Sequence, residues 1–360
     1  MGIFEAMAEA GHEQLAFCRE PGSGLRAVIA VHNTTIGPAL GGCRMWNYGR
    51  EEDVVRDALR LSRGMTEKNA AAGLNYGGGK CVIWGDPARD KSEALFRAVG
   101  RFVQGFGGRV ITGTDVGTVS SDFVWAAAET RYVVALPEEY GGSGDTSLTT
   151  AFAVWKGMKA CARVAFGSDS LKGLTVALQG VGKVGGHLAR HLREEGARLI
   201  ACDANRARLD EVAARIPMEK VSQEDIYDVE CDIFSPNALG GVMNDRTIPR
   251  LRCRVVAGAA NNQLEELRHA DMLKERGILY APDFIINAGG VIQAADELGG
   301  YNRERALRKA AAIYDQLLEV FRIAREQDIS PARAANIHVE RRLRALGTLG
   351  HILVPRAVSR

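Results

Sequence analysis

The sequence predicts a two-domain α/β protein: a first domain that mixes strands and helices, then a doubly wound domain of the dinucleotide-binding type. Three observations carry that expectation. At 360 residues the chain exceeds the usual span of one domain, ~100–150 residues. Its second half alternates short apolar runs with helix-capable segments, the pattern of parallel strands joined by crossovers. Between the halves, Leu136–Asp145 is dense in turn formers and poor in apolar residues, which reads as a linker. The expected domains are therefore 1–135 and 146–329.

The elements follow in order. Residues 25–32 are β-branched and apolar, a buried strand. From Glu51 to Arg63, Val54, Val55, Ala58, Leu59 and Leu61 recur close to helical period. Cys81–Trp84 reads as a short strand after a glycine run, Lys91–Gln104 as a helix and Val110–Thr112 as a strand. Beyond the linker, Thr149–Ala165 reads as helix and Leu174–Glu195 as strand, turn and helix. Further strands are expected at Leu199–Cys202, Asp232–Phe234, Val255–Ala257 and Leu279–Ala281. Leu307, Ala311, Tyr314, Leu317, Leu318 and Phe321 predict one long amphipathic helix over Glu304–Gln327, with a basic helix over Pro331–Leu346 after it.

Composition excludes several classes. Lys and Arg total 46 against 44 acids, a net +2, so no unpaired basic charge marks a nucleic-acid partner. The Arg-rich stretch 332–345 reads as a solvated helix face. No apolar run reaches the ~18 residues of a membrane span. The N-terminus carries acids where a secretory signal needs a basic start. Seven dispersed cysteines without a C-x-x-C read as reduced thiols in a cytoplasmic protein. His187 and His191 stand four apart without a third ligand, so no metal is expected. Asn33-Thr-Thr35 matches a glycosylation sequon but abuts a core strand and reads as structural; Phe4, Trp46, Trp84 and Trp155 read as core or interface aromatics.

The strongest local signal is Val176-Ala-Leu-Gln-Gly180-Val181-Gly182-Lys183-Val184-Gly185-Gly186, a G-x-G-x-x-G directly after an apolar strand and opening a helix. The first glycine allows the tight turn, the second admits a pyrophosphate, and the third lets helix and strand pack closely. The helix N-terminus offers unpaired N–H groups to the phosphates. Asp203 closes the next strand about 20 residues on, where a ribose 2′-hydroxyl needs an acceptor. That carboxylate would repel a 2′-phosphate and favours NAD; Arg206 and Arg208 keep NADP as the minority case.

A second concentration precedes the linker. Met65-Thr-Glu-Lys68 leads to Gly77-Gly-Gly-Lys80, and Gly113-Thr-Asp115 follows. A Walker loop is excluded, because Leu74 and Cys81 stand where it needs Gly and Ser or Thr. Lys80, ahead of an apolar strand, fits a desolvated lysine; burial or a second cation such as Lys68 would make it a usable base.

Taken with Gly37-Pro-Ala-Leu40-Gly41-Gly42-Cys-Arg-Met, Gly258-Ala259-Ala-Asn261-Asn262-Gln and Asn287-Ala-Gly-Gly290, these segments resemble the Glu/Leu/Phe/Val dehydrogenases over nearly the whole chain. The resemblance implies a reversible reaction: L-amino acid, NAD and water give 2-oxo acid, ammonium and NADH. It implies that Lys68 holds the substrate carboxylate, Lys80 activates water and Asp115 shuttles protons to the amino nitrogen. Gly41, Gly42 and Asn262 would orient substrate; Leu40, Met65, Gly113, Val291 and Ala294 would surround its side chain. Ala238, Ala259, Asn261 and Asn287 would join the glycine motif in holding the nucleotide. The resemblance also implies that the first domain is a mixed-sheet α/β domain for substrate binding and oligomerisation, completed by C-terminal helices at 330–360. The second is then a doubly wound Rossmann NAD-binding domain, with a cleft between the two. A homo-oligomer is implied, dimer-based and up to an octamer.

Small residues at 113 and 294 enlarge the pocket expected from the resemblance, which favours phenylalanine; Val291 and Leu74-Asn75 look like the leucine enzymes, so leucine or valine is the alternative. A methylene's worth of pocket changes discrimination by only about 1–3 kcal/mol, so overlapping activities are expected. Glu67 stands where many relatives carry tyrosine and is expected to face solvent. A nucleotide-sensing regulator on the same fold is the non-enzymatic alternative, weakened by the presence of both lysines and the aspartate.

Overall fold

The computed structural model describes residues 2–347. The chain divides into two compact units: residues up to Leu136 with the described residues from Ile337 on, and Pro137–Asn336.

The first unit runs α1 (Ile3–Ala10), β1 (Gln14–Glu20), β2 (Leu25–Asn33), β3 (Ala39–Trp46), α2 (Glu51–Ala71), β4 (Gly77–Trp84), α3 (Glu93–Gly105), β5 (Val110–Thr114) and α4 (Ser120–Ala127). Its five-stranded sheet has the order β1-β2-β4-β3-β5. β1, β2 and β4 pair antiparallel, whereas β3 pairs parallel with both β4 and β5. One face is closed by Phe96, Val99, Val103 and Phe123 packed on Ile29, Met45 and Ile83; on the other, Val54, Val55, Ala58 and Leu59 of α2 cover Val28, Ala30 and Val82.

Two glycine-bearing segments depart from the expected pattern. The run Gly77–Gly79 is strand rather than turn, so Lys80 lies inside β4, and Ala39–Trp46, for which no strand was expected, is the strand between β4 and β5. Helix α2 continues past Arg63 to Ala71 and carries Met65 and Lys68 in its last turns.

The second unit contains α5 (Ser147–Phe166), β6 (Thr175–Gln179), α6 (Lys183–Glu194), β7 (Arg198–Cys202), α7 (Arg206–Arg215), β8 (Glu219–Lys220), β9 (Ile233–Pro236), β10 (Val255–Val256), α8 (Arg268–Glu275), β11 (Leu279–Tyr280), α9 (Asp283–Ile286), α10 (Gly289–Glu297), α11 (Arg303–Ala311) and α12 (Ile313–Gln327). All pairings in its six-stranded sheet are parallel, in the order β11-β10-β9-β6-β7-β8. Counted from the first strand of the unit this is the doubly wound order, which reverses between β6 and β9. Ligands in such sheets bind beyond the strand carboxyl ends at that reversal.

Three expectations are corrected here. Residues 137–145 are no open linker: Ser143 donates its N–H to Glu297 Oε1 at 3.0 Å, and Gln293 Nε2 donates to the Ser143 carbonyl at 2.8 Å, docking the segment on α10. The single helix expected over Glu304–Gln327 is two, because the Ala312 N–H turns back to the Lys309 carbonyl and tightens the chain there. The last helix, α13 (Pro331–Gly347), starts in the second unit and ends in the first; 348–360 lie outside the described residues.

Candidate active site

In the first unit the sheet brings together residues far apart in sequence. Leu40 is paired with Gly78 on one side and Ile111 on the other; Gly42 is paired with Gly113. A Cβ on Gly41 would collide with the Gly79 carbonyl and come within 3.0 Å of Met65 Cγ. On Gly42 it would lie 2.9 Å from Asp115 Cβ, and on Gly78 it would collide with Thr66. The glycines are therefore there for close approach: they let α2 and the loop after β5 settle onto the strand surface. Asn69 fixes the contact by donating its amide to Leu40 and Gly77 carbonyls at 3.1 and 2.6 Å.

Lys80 is buried, with 5% of its side chain exposed, and its Nζ lies 2.9 Å from Asp115 Oδ2. The burial expected of Lys80 is present, and its partner in the structure is this carboxylate. Arg44 Nε donates to the same oxygen at 3.0 Å, while its Nη1 donates to Asp57 at 2.9 Å. Burial on its own would raise the Asp115 carboxyl, but the ammonium and the guanidinium outweigh it and hold the group below its ordinary value. Thr118 Oγ1 accepts the Asp115 N–H at 2.9 Å and donates to the Cys43 carbonyl, which sets the loop. Lys68 is half-buried on α2. Glu67, expected in solvent, is half-buried and pairs along the helix with Arg63 at 3.1 Å.

Gly113 does not open space as expected. A Cβ there would sit 2.7 Å from the Val134 carbonyl oxygen and 3.0 Å from Val134 Cγ2, so the place of the missing side chain is already filled. Arg44 was quoted in a motif but given no role; only its through-space partners reveal one.

In the second unit the glycine turn follows β6 at the reversal of the sheet. Gly180 adopts φ +100°, and a Cβ on it would lie 2.9 Å from Ala238 Cβ, just beyond β9. A Cβ on Gly185 would collide with the Gly180 carbonyl, which accounts for the close packing of helix on turn. At Gly182, the N-cap of α6, the space is open, with only Arg208 Nη1 within 4 Å at 3.8 Å. This cradle fits a dinucleotide phosphate. Lys183 is exposed and pairs with Asp145 at 3.5 Å; Val184 and Gly186 lie half-buried in the first turn. Asp203 accepts the Val181 N–H at 2.9 Å and the Asn205 N–H at 2.8 Å, so it also clasps the turn.

The other expected nucleotide contacts gather beside it. Asn237 Oδ1 accepts the Ala259 N–H at 2.9 Å; Asn287 Nδ2 donates to the Ala259 carbonyl at 3.1 Å and to Asn261 Oδ1 at 2.9 Å. The buried Asn287 Oδ1 has no hydrogen-bond partner among the described residues, as befits a group awaiting a ligand. Asn262 is exposed in the left-handed region at φ +50°. Val291 and Ala294 share the partly exposed side of α10, while Ile292, Gln293, Ala295 and Asp296 point into the core.

The features set aside have structural roles. His191 stacks on Trp155 at 5.4 Å and is held below its ordinary pKa by burial, so it faces aromatics rather than solvent. Among the described residues no three His, Cys, Asp or Glu side chains could hold a metal, and no helix is long and apolar enough to cross a membrane. Asn33 Oδ1 accepts the Thr35 N–H at 2.9 Å, a local turn. Phe4 and Trp46 are exposed, outside any core.

Fold and site together define an oxidoreductase with a dinucleotide-type parallel sheet and a separate lysine–aspartate site. Residues 12–132 match the family model described as Glu/Leu/Phe/Val dehydrogenase, dimerisation domain, and residues 203–343 match Glutamate/Leucine/Phenylalanine/Valine dehydrogenase; the chain belongs to this family of amino-acid dehydrogenases. It is 56% identical to a leucine dehydrogenase of Thermoactinomyces intermedius over 95% of this chain and 94% of the relative. It is 50% identical to a phenylalanine dehydrogenase of Caldalkalibacillus thermarum over 98% of this chain and 96% of the relative. The crystal structure of L-tryptophan dehydrogenase from Nostoc punctiforme superposes with a TM-score of 0.86 at 42% identity, covering 96% of this chain and 99% of that one.

Proposed function

We propose that the chain catalyses the reversible, NAD-dependent oxidative deamination of an apolar L-amino acid to its 2-oxo acid and ammonium. The buried Lys80–Asp115 pair carries the reading, because it sets an amine and a carboxylate 2.9 Å apart where glycines let α2 and the Asp115 loop approach the strands closely. Lys68 holds the substrate carboxylate, with the backbone at Gly41 and Gly42 and the Asn262 side chain orienting the rest. Asp115 takes a proton from the amino nitrogen. Lys80 activates the water that adds to the imine carbon, and ammonium then leaves the carbinolamine. NAD, bound at Gly180–Gly186, supplies the acceptor for the hydride leaving Cα. Asp203 favours NAD over NADP by its charge at the ribose position. Ala238, Ala259, Asn261 and Asn287 complete the nucleotide site.

For the substrate side chain we place leucine ahead of phenylalanine, which reverses the expectation from sequence. That expectation rested on Gly113 and Ala294 as space-making residues. It rested also on the likeness of Gly113–Asp115, residues 137–146, Gly180–Gly185 and Ile292-Gln293 to the phenylalanine enzymes. Of these grounds, the space at 113 is filled by Val134. The 56% identity to a leucine dehydrogenase against 50% to a phenylalanine dehydrogenase supports the same order. Phenylalanine is the second reading, favoured by the small Ala294 beside Val291, with Leu40 and Met65 as the other apolar contacts. A homo-oligomer is supported by the description of the first matching model as a dimerisation domain. A cytoplasmic setting is supported by seven unpaired cysteines.

Initial rates of NAD reduction with L-leucine, L-phenylalanine and L-glutamate, and with NADP replacing NAD, test the whole reading. Leucine should give the highest kcat/KM, phenylalanine a lower but measurable one, and glutamate none, since an apolar pocket leaves its second carboxylate unpaired. A phenylalanine preference would restore the first ordering; no rate with any amino acid would remove the dehydrogenase reading.

A further inference from the structure

We infer that Arg44 is a positioning residue for deamination, one that turns Asp115 so that Oδ2 is spent on two cations and Oδ1 is presented to the substrate amino nitrogen. The inference rests on the proposed role of Asp115 as proton carrier.

Both Lys80 Nζ and Arg44 Nε converge on Oδ2, at 2.9 and 3.0 Å, and no hydrogen bond from the described residues reaches Oδ1. A carboxylate held by one oxygen keeps the other in a set direction and free to accept. Arg44 is itself braced. Its Nη1 donates to Asp57 Oδ2 at 2.9 Å, and that carboxylate also accepts from Tyr48 Oη at 2.5 Å and from Arg60 Nη2 at 2.8 Å. The groups facing Asp115 are thus Lys80 from β4, Arg44 from β3 and Thr118 from its own loop, with Asp57 and Arg60 of α2 and Tyr48 standing behind the guanidinium. The planar fork of arginine spans the two carboxylates at once, and a lysine ammonium could not hold both directions. Asp115 and Arg44 have 24% and 20% of their side chains exposed, so the pair is largely withdrawn from solvent without being sealed.

The roles divide by chemistry. Lys80 touches the reacting water, whereas Arg44 acts through Asp115 alone. Losing the guanidinium should therefore lower kcat while leaving the nucleotide site untouched. It should also move the acid limb of the rate profile to higher pH, since one of the two cations that favour the Asp115 carboxylate is gone.

The test compares the full-length parent with Arg44→Met, Arg44→Lys, Asp57→Asn and Asp115→Asn, reading kcat, KM and the pH dependence of kcat/KM for oxidation of L-leucine, with NADH binding by fluorescence alongside. Arg44→Met should lose kcat on the order of 10²-fold, the scale of a misplaced reacting group, with NADH affinity unchanged and the acid limb shifted upward. Arg44→Lys should recover part of the rate, and Asp57→Asn should move both readouts the same way by less. Unchanged kcat and an unmoved limb in Arg44→Met overturn the inference; if that variant does not fold, the same result in Asp57→Asn does. Asp115→Asn separates the two levels. Parental turnover there would remove the proton-carrier reading and this inference with it, whereas an inactive Asp115→Asn beside an unaffected Arg44→Met would remove the positioning role alone.

Discussion

The Lys80 ammonium lies 2.9 Å from Asp115 Oδ2, with the lysine side chain 5% exposed and the carboxylate 24% exposed. A buried amine and a half-open carboxylate make an asymmetric pair: the lysine is walled in, and the acid is the more accessible of the two. Lys80→Ala should lower turnover by about 10²–10⁴-fold, the usual worth of a positioned acid–base group. NADH affinity should survive, because the residues proposed to hold the nucleotide belong to the second unit. Turnover near the parental rate, with binding intact, would remove Lys80 from the mechanism.

Gly113 was expected to set substrate size, but its Cβ direction meets the Val134 carbonyl at 2.7 Å. Gly113→Ala should therefore strain the β5 edge, lowering the melting temperature and reducing kcat on leucine and phenylalanine together. Ala294→Leu, on the partly exposed side of α10, should instead penalise phenylalanine more than leucine. Parallel kcat/KM measurements with both amino acids decide it: a clean switch of preference in Gly113→Ala would contradict the filled-space argument.

Asp203 holds two backbone N–H groups, at Val181 and Asn205, within the turn proposed to receive the nucleotide. Removing the carboxylate in Asp203→Ala costs hydrogen bonds to a charged group, about 1.5–3 kcal/mol each, so NAD affinity should fall by at least tenfold. The ratio of NADP to NAD turnover should rise, since the repulsion is gone and Arg208 stands at the turn. A ratio that stays constant would mean the carboxylate plays no part in nucleotide choice.

His12 donates to or accepts from Ser62 at 2.9 Å and contacts the Leu59 carbonyl at 3.0 Å; burial, and then the neighbouring His32, push its pKa from 6.5 down to about 4. The unfolded chain takes up a proton at its ordinary pKa, whereas the folded chain does so only near pH 4. Its contribution is thus fully present above pH 6.5 and is lost as pH falls towards 4. His12→Asn should show a shallower fall in melting temperature over that window than the parent. Parallel curves for the two proteins would show that another group governs acid stability.

The glycine turn was legible because its signals are local. Strand, glycine turn, helix and closing acid lie within one stretch from Val176 to Asp203, and each glycine answers a constraint set by near neighbours in the chain. The crossover pattern likewise announced a parallel sheet, although strands as short as Val255–Val256 blurred its boundaries. Glycine misled where it served packing. No strand was expected at Gly77–Gly79 or Ala39–Trp46, yet these are strands pressed against α2 and the Asp115 loop, too close for a side chain.

By itself, then, the sequence determined the α/β class, the glycine turn after β6, and the lysines and aspartate that resemble a dehydrogenase site. Only tertiary structure decided that Arg44 reaches Asp115 across 71 positions, that Lys80 is answered by a carboxylate, and that Val134 occupies the place beside Gly113. The reason is physical: hydrophobic period and turn preference are written along the chain. Charge pairing and steric closeness act through space, and they exist only after the sheet has set its strands in order.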